Sequence, residues 1–129
     1  MNLRLLRNLL QQVMIKIKRI YENESDDDGY RILVDRIWPR GVSKERSKID
    51  LWLKEIAPST SLRKWFSHDP KKWNAFRNKY ALELKSSKEV DEVIQLLKRN
   101  RVVTLVYSAK DEDHNQAIVL RDFLAANGR

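Results

Sequence analysis

The sequence predicts one α/β domain with a small, mostly parallel sheet flanked by helices in a Rossmann-like layered architecture. Two nearly continuous apolar segments, residues 31–37 and 102–107, are typical of strands that are covered on both faces. Several helical patterns lie between them, and a right-handed crossover through those helices would leave the two strands parallel. The length of 129 residues fits a single domain with one core.

The first segment, residues 1–13, is predicted to be an extension, helical or disordered, in front of an α/β domain over residues 14–129. Its apolar residues repeat at helix spacing as Leu3, Leu6, Leu10 and Val13. Arginines interrupt this apolar region and no small-residue cleavage site follows, so the pattern is not that of a signal peptide. A helix for dimerisation or docking is the alternative.

The first strand is predicted over residues 15–20, where apolar and basic residues alternate with the period of a half-exposed strand. Its lysines suit the edge of a sheet. Three adjacent aspartates at residues 26–28 are interpreted as a solvated turn, because calcium loops place their ligands at alternate positions. The strand at residues 31–37 should end before Pro39, which cannot donate to a sheet ladder.

The helices are predicted from their apolar faces and their capping residues. They are expected as a short amphipathic segment at 49–56, a short helix after Ser59–Ser61, a longer helix from Pro70 to Leu84, a helix that Ser86 or Ser87 caps and Asn100 ends, and a last helix from His114 or Asn115 to Asn127. The longer helix is the clearest, because Trp73, Phe76, Tyr80 and Leu84 lie on one face.

The composition favours an anionic partner and excludes thiol chemistry. The formal net charge is +8. The absence of cysteine excludes disulfides, thiolate catalysis and cysteine-ligated metal centres, and it suits a reducing cytoplasm. No apolar segment approaches the ~20 residues of a membrane span. No phosphate loop, nucleophile elbow or metal-binding His-Glu spacing is present, so no metal and no cofactor are predicted.

A ligand site is predicted where the two apolar strands end, because ligands of open α/β sheets collect outside the carboxyl ends of the strands. Arg36, Arg40 and Lys110 are the candidates for binding a phosphate or a carboxylate. The candidate catalytic residues are Tyr107 and His114, because phenol and imidazole groups handle protons. The remaining candidate ligand contacts are Asp35, Trp38 and Asn115, of which Asn115 is expected to orient the ligand. The sequence leaves open whether a reaction follows binding.

Two other functions are compatible with the sequence. Residues 63–79 carry six basic residues against one acid, interleaved with Trp65, Phe66 and Trp73, which suits phosphate contact and base stacking by a nucleic acid. The same aromatic residues have the spacing of a core face, and no nucleic-acid-binding motif appears. The third hypothesis is a non-catalytic interaction module that dimerises through residues 1–13, so a monomer and a homodimer are both expected states.

The chain resembles the YeaO-like family of uncharacterised bacterial and archaeal proteins in four ordered segments. They are residues 35–44, 52–59, 62–70 and 104–111, the last followed by His114 and Asn115. The resemblance spans residues 14–124 and implies one soluble α/β domain, with residues 1–13 outside it, but no particular reaction. A related branch of the superfamily has cysteine at the position of Tyr107 and a Cys-His-Arg sequence near His114. Because this chain has no cysteine, the thiol chemistry of that branch is not expected here.

Overall fold

The sheet of this protein has four strands, and all of its neighbouring pairs are parallel. A computed structural model of the chain describes residues 14–127, and the helix predicted at residues 1–13 lies outside them. The strands are β1 (Met14–Arg19), β2 (Tyr30–Leu33), β3 (Leu51–Trp52) and β4 (Val102–Tyr107). They lie in the order β1-β4-β2-β3. The predicted α/β class with a parallel sheet is therefore confirmed.

The position of each strand in the sheet explains its amino-acid pattern. β4 lies between β1 and β2, and its residues from Val103 to Tyr107 are buried, which accounts for their nearly continuous apolar character. β1 is an edge strand, where Lys16 and Lys18 alternate with isoleucines that pack against the core. The edge position predicted from the lysines of this strand is therefore confirmed.

Two features of the strands differ from the prediction. The ladder of β2 ends at Leu33, although the Val34 N–H still donates to the Val106 carbonyl at 3.0 Å, and the chain leaves the sheet at Asp35. Leu51 and Trp52 were expected in an amphipathic helical segment and instead form the edge strand β3. The indole N–H of Trp52 donates to the Asp35 carbonyl at 2.8 Å, which holds this short strand beside the end of β2.

The helices of the described residues are α1 (Lys44–Ser47), α2 (Thr60–Phe66), α3 (Trp73–Lys85), α4 (Lys88–Arg99) and α5 (Gln116–Asn127). The Ser59 hydroxyl accepts from the Leu62 N–H at 3.2 Å and caps α2, as the sequence predicts. Asp69 caps a 3-10 turn at Pro70–Lys72 in the same way, so the helix predicted from Pro70 becomes α-helical only at Trp73.

The main core lies between the helices and one face of the sheet. Ile32, Val103 and Leu105 are fully buried there and pack in one cluster with apolar residues of α2 to α5. The buried Tyr80 of α3 donates its hydroxyl to the Ile56 carbonyl at 2.7 Å. This bond ties α3 to the turn after β3 and so fixes the segment that continues into Ala57 and Pro58.

The opposite face of the sheet is covered by loops and by α1 rather than by long helices. A smaller cluster of Ile20, Leu33 and Val106 lies there, with Trp38 and Trp52 packed against it. The two tryptophan rings meet edge to face at a centroid distance of 5.5 Å. The segment after β2 therefore places Trp38 on this second face.

The prediction of a solvated acidic turn is wrong for Asp28, which is fully buried on the second face. Its carboxylate accepts from Lys18 Nζ at 3.0 Å and from Arg31 Nη1 at 2.6 Å, and its backbone carbonyl accepts from the Thr104 hydroxyl at 2.6 Å. Burial alone would raise the pKa of Asp28, but its hydrogen bonds and the neighbouring cations hold that pKa below its usual value. The two preceding aspartates of the turn are exposed, as predicted.

Candidate functional site

A cavity of about 560 Å³ lies at the carboxyl ends of β2 and β4. It is bounded by the segments that leave these strands, by Ala57 and Pro58, by α2 with the turn after it, and by Phe76 of α3. Its polar lining residues are Asp35, Arg36, Arg63, His68, Ser108, Lys110, Asp111, His114, Asn115 and Gln116. Because β2 and β4 are parallel, residues that are far apart along the chain meet at this one edge.

Asp35 is the buried acid of this cavity, with 7% of its surface exposed. One carboxylate oxygen, Oδ1, accepts from Gln116 Nε2 at 2.6 Å, so the end of β2 is joined to the first turn of α5. Burial raises the pKa of Asp35 above its usual value, and this outweighs hydrogen bonds from Ser108 and Gln116 and the positive charge of Arg63, which lower it.

Arg36 lines the cavity but is committed to the protein backbone. Its Nε donates to the Pro58 carbonyl at 3.2 Å and its Nη2 to the Ala57 carbonyl at 3.0 Å, while Nη1 lies 3.4 Å from a carboxylate oxygen of Glu55. Three of its nitrogen atoms therefore hold the segment after β3 in place. The guanidinium builds one wall of the cavity and has little capacity left for a ligand.

Arg63 and Lys110 are the cations of the cavity that the protein leaves uncommitted. Both residues are exposed and line the cavity. Their side chains make no hydrogen bond or ion pair with any other residue between 14 and 127, although the charge of Arg63 acts on Asp35. A guanidinium and an ammonium group on opposite chain segments, α2 and the loop after β4, can therefore reach a bound anion.

His114 forms a pair with Asp111 at the same edge. His114 Nδ1 and Asp111 Oδ2 are 2.9 Å apart, and the imidazole meets the Trp73 ring edge to face at 5.2 Å. The Asp113 N–H and His114 N–H also donate to Asp111, and hydrogen bonds from these neighbours hold the pKa of Asp111 below its usual value. An ionised Asp111 can only accept, so Nδ1 carries the hydrogen; in the neutral imidazole the lone pair is then on Nε2.

Asn115 lies at the cavity, whereas Tyr107 lies in the main core. Asn115 is 2% exposed and caps α5, because its Oδ1 accepts from the Ile118 N–H at 3.2 Å and its Nδ2 donates to the Asp111 carbonyl at 3.1 Å. It lines the cavity while both ends of its amide are used. Tyr107 is buried in the main core and does not line the cavity; burial raises its pKa.

Trp38 and Arg40 do not line the cavity. Trp38 packs on the second face of the sheet, where its indole N–H donates to the Val42 carbonyl at 2.9 Å. Arg40 is exposed, and its backbone carbonyl accepts from the Tyr21 hydroxyl at 3.1 Å. The structure therefore brings together five of the eight predicted site residues: Asp35, Arg36, Lys110, His114 and Asn115.

Arg63 and Gln116 line the cavity although the sequence did not predict them as ligand contacts. Arg63 was grouped with the basic segment proposed for nucleic-acid binding, and nothing in that segment indicates which side of α2 faces the sheet edge. Gln116 carried a usable signal, because it is the first residue of the helix that follows β4. Side chains at that position lie close to the carboxyl end of the preceding strand.

Within residues 14–127, no three His, Asp or Glu side chains are grouped closely enough to hold a metal ion. None of the helices in that part of the chain combines the length and the apolar character needed to cross a membrane.

Comparisons with known proteins identify relatives along nearly the whole chain. The family model described as the inactive DUF488-N3 subclade matches residues 14–128. The uncharacterized protein YeaO of Escherichia coli is 43% identical over 110 residues, which cover 85% of this chain and 96% of that protein. The uncharacterized protein Rv3073c of Mycobacterium tuberculosis is 37% identical over 121 residues, which cover 94% of this chain and all of that protein. No solved structure matches the chain.

Proposed function

We propose that this chain, which belongs to the family described as the inactive DUF488-N3 subclade, is a binding protein for a small anionic molecule. The proposed ligand carries a phosphate or a carboxylate and occupies the cavity at the carboxyl ends of β2 and β4. The observation that carries the proposal is the pair of uncommitted cations, Arg63 and Lys110, at one cavity of about 560 Å³.

The geometry favours Arg63 and Lys110 over Arg36 and Arg40 as the anion contacts. Arg36 already donates to two backbone carbonyls, and Arg40 lies outside the cavity. A cation with free donors gains charge-assisted hydrogen bonds to an anion without breaking bonds that hold the fold. We therefore assign Arg36 to shaping the cavity wall and the two uncommitted cations to the ligand.

Binding without turnover is the form of the proposal that agrees best with the residues present. The family description itself uses the word inactive. Tyr107 lies in the core and does not line the cavity, which argues against a catalytic role for its hydroxyl. His114, oriented by Asp111, is the remaining proton-handling candidate, and its Nε2 would accept a hydrogen bond from a protonated ligand group.

The test is calorimetric titration with inorganic phosphate and with small phosphorylated and carboxylated compounds. The double variant Arg63→Ala/Lys110→Ala should weaken binding by about tenfold or more, since each charge-assisted hydrogen bond contributes about 1.5–3 kcal/mol before solvent screening. Lys98→Ala/Arg99→Ala is the matched control, because it removes the same charges from exposed positions at the end of α4. Equal weakening in both variants, or no binding of any anion by the unmodified protein, would refute the proposal.

A second candidate function is single-stranded nucleic-acid binding across the surface around Trp65. This residue is 38% exposed, with Lys72 Nζ at 5.2 Å and Lys79 Nζ at 5.1 Å from its ring centroid. Of the other aromatic residues in the segment, Trp73 and Phe66 pack against the core cluster and are not exposed for base stacking. Both ammonium groups lie over the indole, and Lys72 Nζ also donates to the Trp65 carbonyl at 2.8 Å. A base that takes their place on the ring would bring its phosphates within reach of these lysines.

A salt titration with a labelled single-stranded oligonucleotide tests this second function. Affinity should fall steeply between about 50 and 200 mM salt, and Lys72→Ala/Lys79→Ala should reduce it more than Lys98→Ala/Arg99→Ala does. Absent binding at the lowest salt concentration, or equal effects of the two double variants, would remove nucleic acid from the candidates.

The cytoplasm is the proposed location for either function. The lack of cysteine agrees with a reducing compartment, where disulfides are not used. A monomer and a homodimer are both compatible with the proposed ligand site. A homodimer through residues 1–13 stays a prediction that sedimentation of the full chain against residues 14–129 tests.

A further inference from the structure

The cavity separates positive from negative charge, and this separation constrains its ligand. Arg63 and Lys110 are exposed at the rim, whereas the carboxylate of Asp35 is buried at the inner end. The other acid of the cavity, Asp111, already accepts three hydrogen bonds from its own loop. Asp35 is therefore the acid that a ligand would meet, and an anionic group placed beside it would be repelled.

The contact between Asp35 and Gln116 determines which hydrogen-bonding groups face a ligand at the inner end of the cavity. An ionised carboxylate can only accept, so the amide nitrogen of Gln116 must face it, as the 2.6 Å distance from Nε2 to Oδ1 shows. The amide oxygen of Gln116 is then turned away from Asp35, and it accepts from no donor within residues 14–127. Ser108 also donates to the Asp35 carboxylate from its backbone and its side chain. A carboxylate has about four acceptor positions, so its remaining capacity and the amide oxygen of Gln116 suit the inner end to hydrogen-bond donors.

We propose that the ligand is a phosphorylated polyol, a sugar phosphate either free or as part of a nucleotide, whose hydroxyl groups donate to Asp35 and Gln116. This inference rests on the proposed function, since it assumes that the phosphate is held by Arg63 and Lys110. Hydroxyl groups can donate to Asp35 and to the Gln116 amide oxygen without bringing a further cation into a cavity that already holds Arg63 and Lys110. The apolar walls at Ala57 and Phe76 suit the carbon skeleton of a sugar.

The test compares ligands with one phosphate group and different numbers of hydroxyl groups. Calorimetry with methyl phosphate, glycerol 3-phosphate and ribose 5-phosphate should show affinity rising by about tenfold or more along the series, as expected for added hydrogen bonds to a charged acceptor. Adenosine 5′-monophosphate distinguishes a nucleotide ligand from a free sugar phosphate. Tighter binding than ribose 5-phosphate indicates a nucleotide, and equal or weaker binding indicates a free sugar phosphate.

Asp35→Asn is the decisive variant. It should reduce the preference for ribose 5-phosphate over methyl phosphate, because an amide oxygen accepts a hydroxyl hydrogen bond more weakly than a carboxylate does. Methyl phosphate itself should bind more tightly, because the repulsive charge is gone. A merely structural role would weaken all phosphates together. Gln116→Leu, which removes the second acceptor, should reduce the same preference and provides a second test if the first variant does not fold.

Each negative binding result would refute a different claim. Equal affinity of the unmodified protein for methyl phosphate and ribose 5-phosphate would overturn this inference and leave the anion site standing. A preference that is undiminished in both variants would overturn the assignment to Asp35 and Gln116. Absence of binding by every phosphate compound would overturn the inference and the proposed function together.

Discussion

Replacing Asp28 by asparagine tests whether one buried carboxylate holds the second face of the sheet together. Asparagine keeps the shape of the side chain but loses the charge. Its amide nitrogen would have to face either Lys18 Nζ or Arg31 Nη1, which lie 3.0 and 2.6 Å from the two oxygens of Asp28. One of the two cations would then meet a donor where it now meets an acceptor.

The expected magnitude follows from the burial of Arg31. This residue is 3% exposed, and its Nε already has no hydrogen-bond partner in the structure. Without the Asp28 charge it becomes an uncompensated buried cation, and removing one partner of such a pair lowers the free energy of unfolding by about 3–5 kcal/mol. For a domain of this size the midpoint of thermal unfolding should fall by about 10–20 °C.

Urea unfolding followed by tryptophan fluorescence and by circular dichroism measures this free energy. Asp26→Asn is the matched control, because the same substitution occurs in the same turn at an exposed side chain, and its effect should stay within about 0.5 kcal/mol. Folding lowers the pKa of Asp28, so its contribution is complete above about pH 4 and is lost as the pH falls through the lower folded value. A loss below about 1 kcal/mol, or equal losses in both variants, would refute the reasoning.

Two further predictions concern the cavity. Folding raises the pKa of Asp35, so ionisation of this residue destabilises the fold as the pH rises from about 4 through the higher folded pKa. The variant Asp35→Asn should therefore unfold at a higher temperature than the unmodified protein at pH 7. The difference should vanish near pH 3, where Asp35 is protonated in both the folded and the unfolded state. A variant that is less stable at pH 7 would contradict this. Arg36→Ala should lower the free energy of unfolding by about 1–3 kcal/mol in urea titrations, because the carbonyls of Ala57 and Pro58 lose their donors. Arg40→Ala, the exposed control, should change that free energy by less than about 0.5 kcal/mol. Similar effects of the two variants would contradict the role of Arg36 in forming the cavity wall.

The sequence was sufficient to predict the centre of the sheet but not its far edge. The segments that became β2 and β4 are apolar because both of their faces are covered, and burial of that kind leaves a continuous pattern that can be recognised. β3 has only two residues, Leu51 and Trp52, which is too short for alternation to be distinguished from a helical repeat. Its place in the sheet comes from backbone pairing with β2 at Ile32 and Leu33, supported by the bond from the Trp52 indole to the Asp35 carbonyl. No local pattern encodes these contacts.

The candidate site was predictable in position and only partly in composition. Asp35 and Lys110 could be assigned because each follows a buried strand, and parallel strands bring their ends together. Trp38 and Arg40 follow the same strand as Asp35, yet the chain crosses to the other face before it reaches them. Arg63 comes to the cavity through the packing of α2, which depends on tertiary contacts rather than on spacing.

The placement of β4 between β1 and β2 affects how the protein is made on the ribosome. Neither of the two early strands is the neighbour of the other. Until β4 is translated, about seventy or more residues later, β1 has no partner and β2 can pair only with the two-residue β3. Until Tyr107 has left the exit tunnel, the ladders that join β1 and β2 to β4 cannot form. Assembly is then completed by insertion of the last strand into the middle, which ties the start of the polypeptide to its end in a single late step.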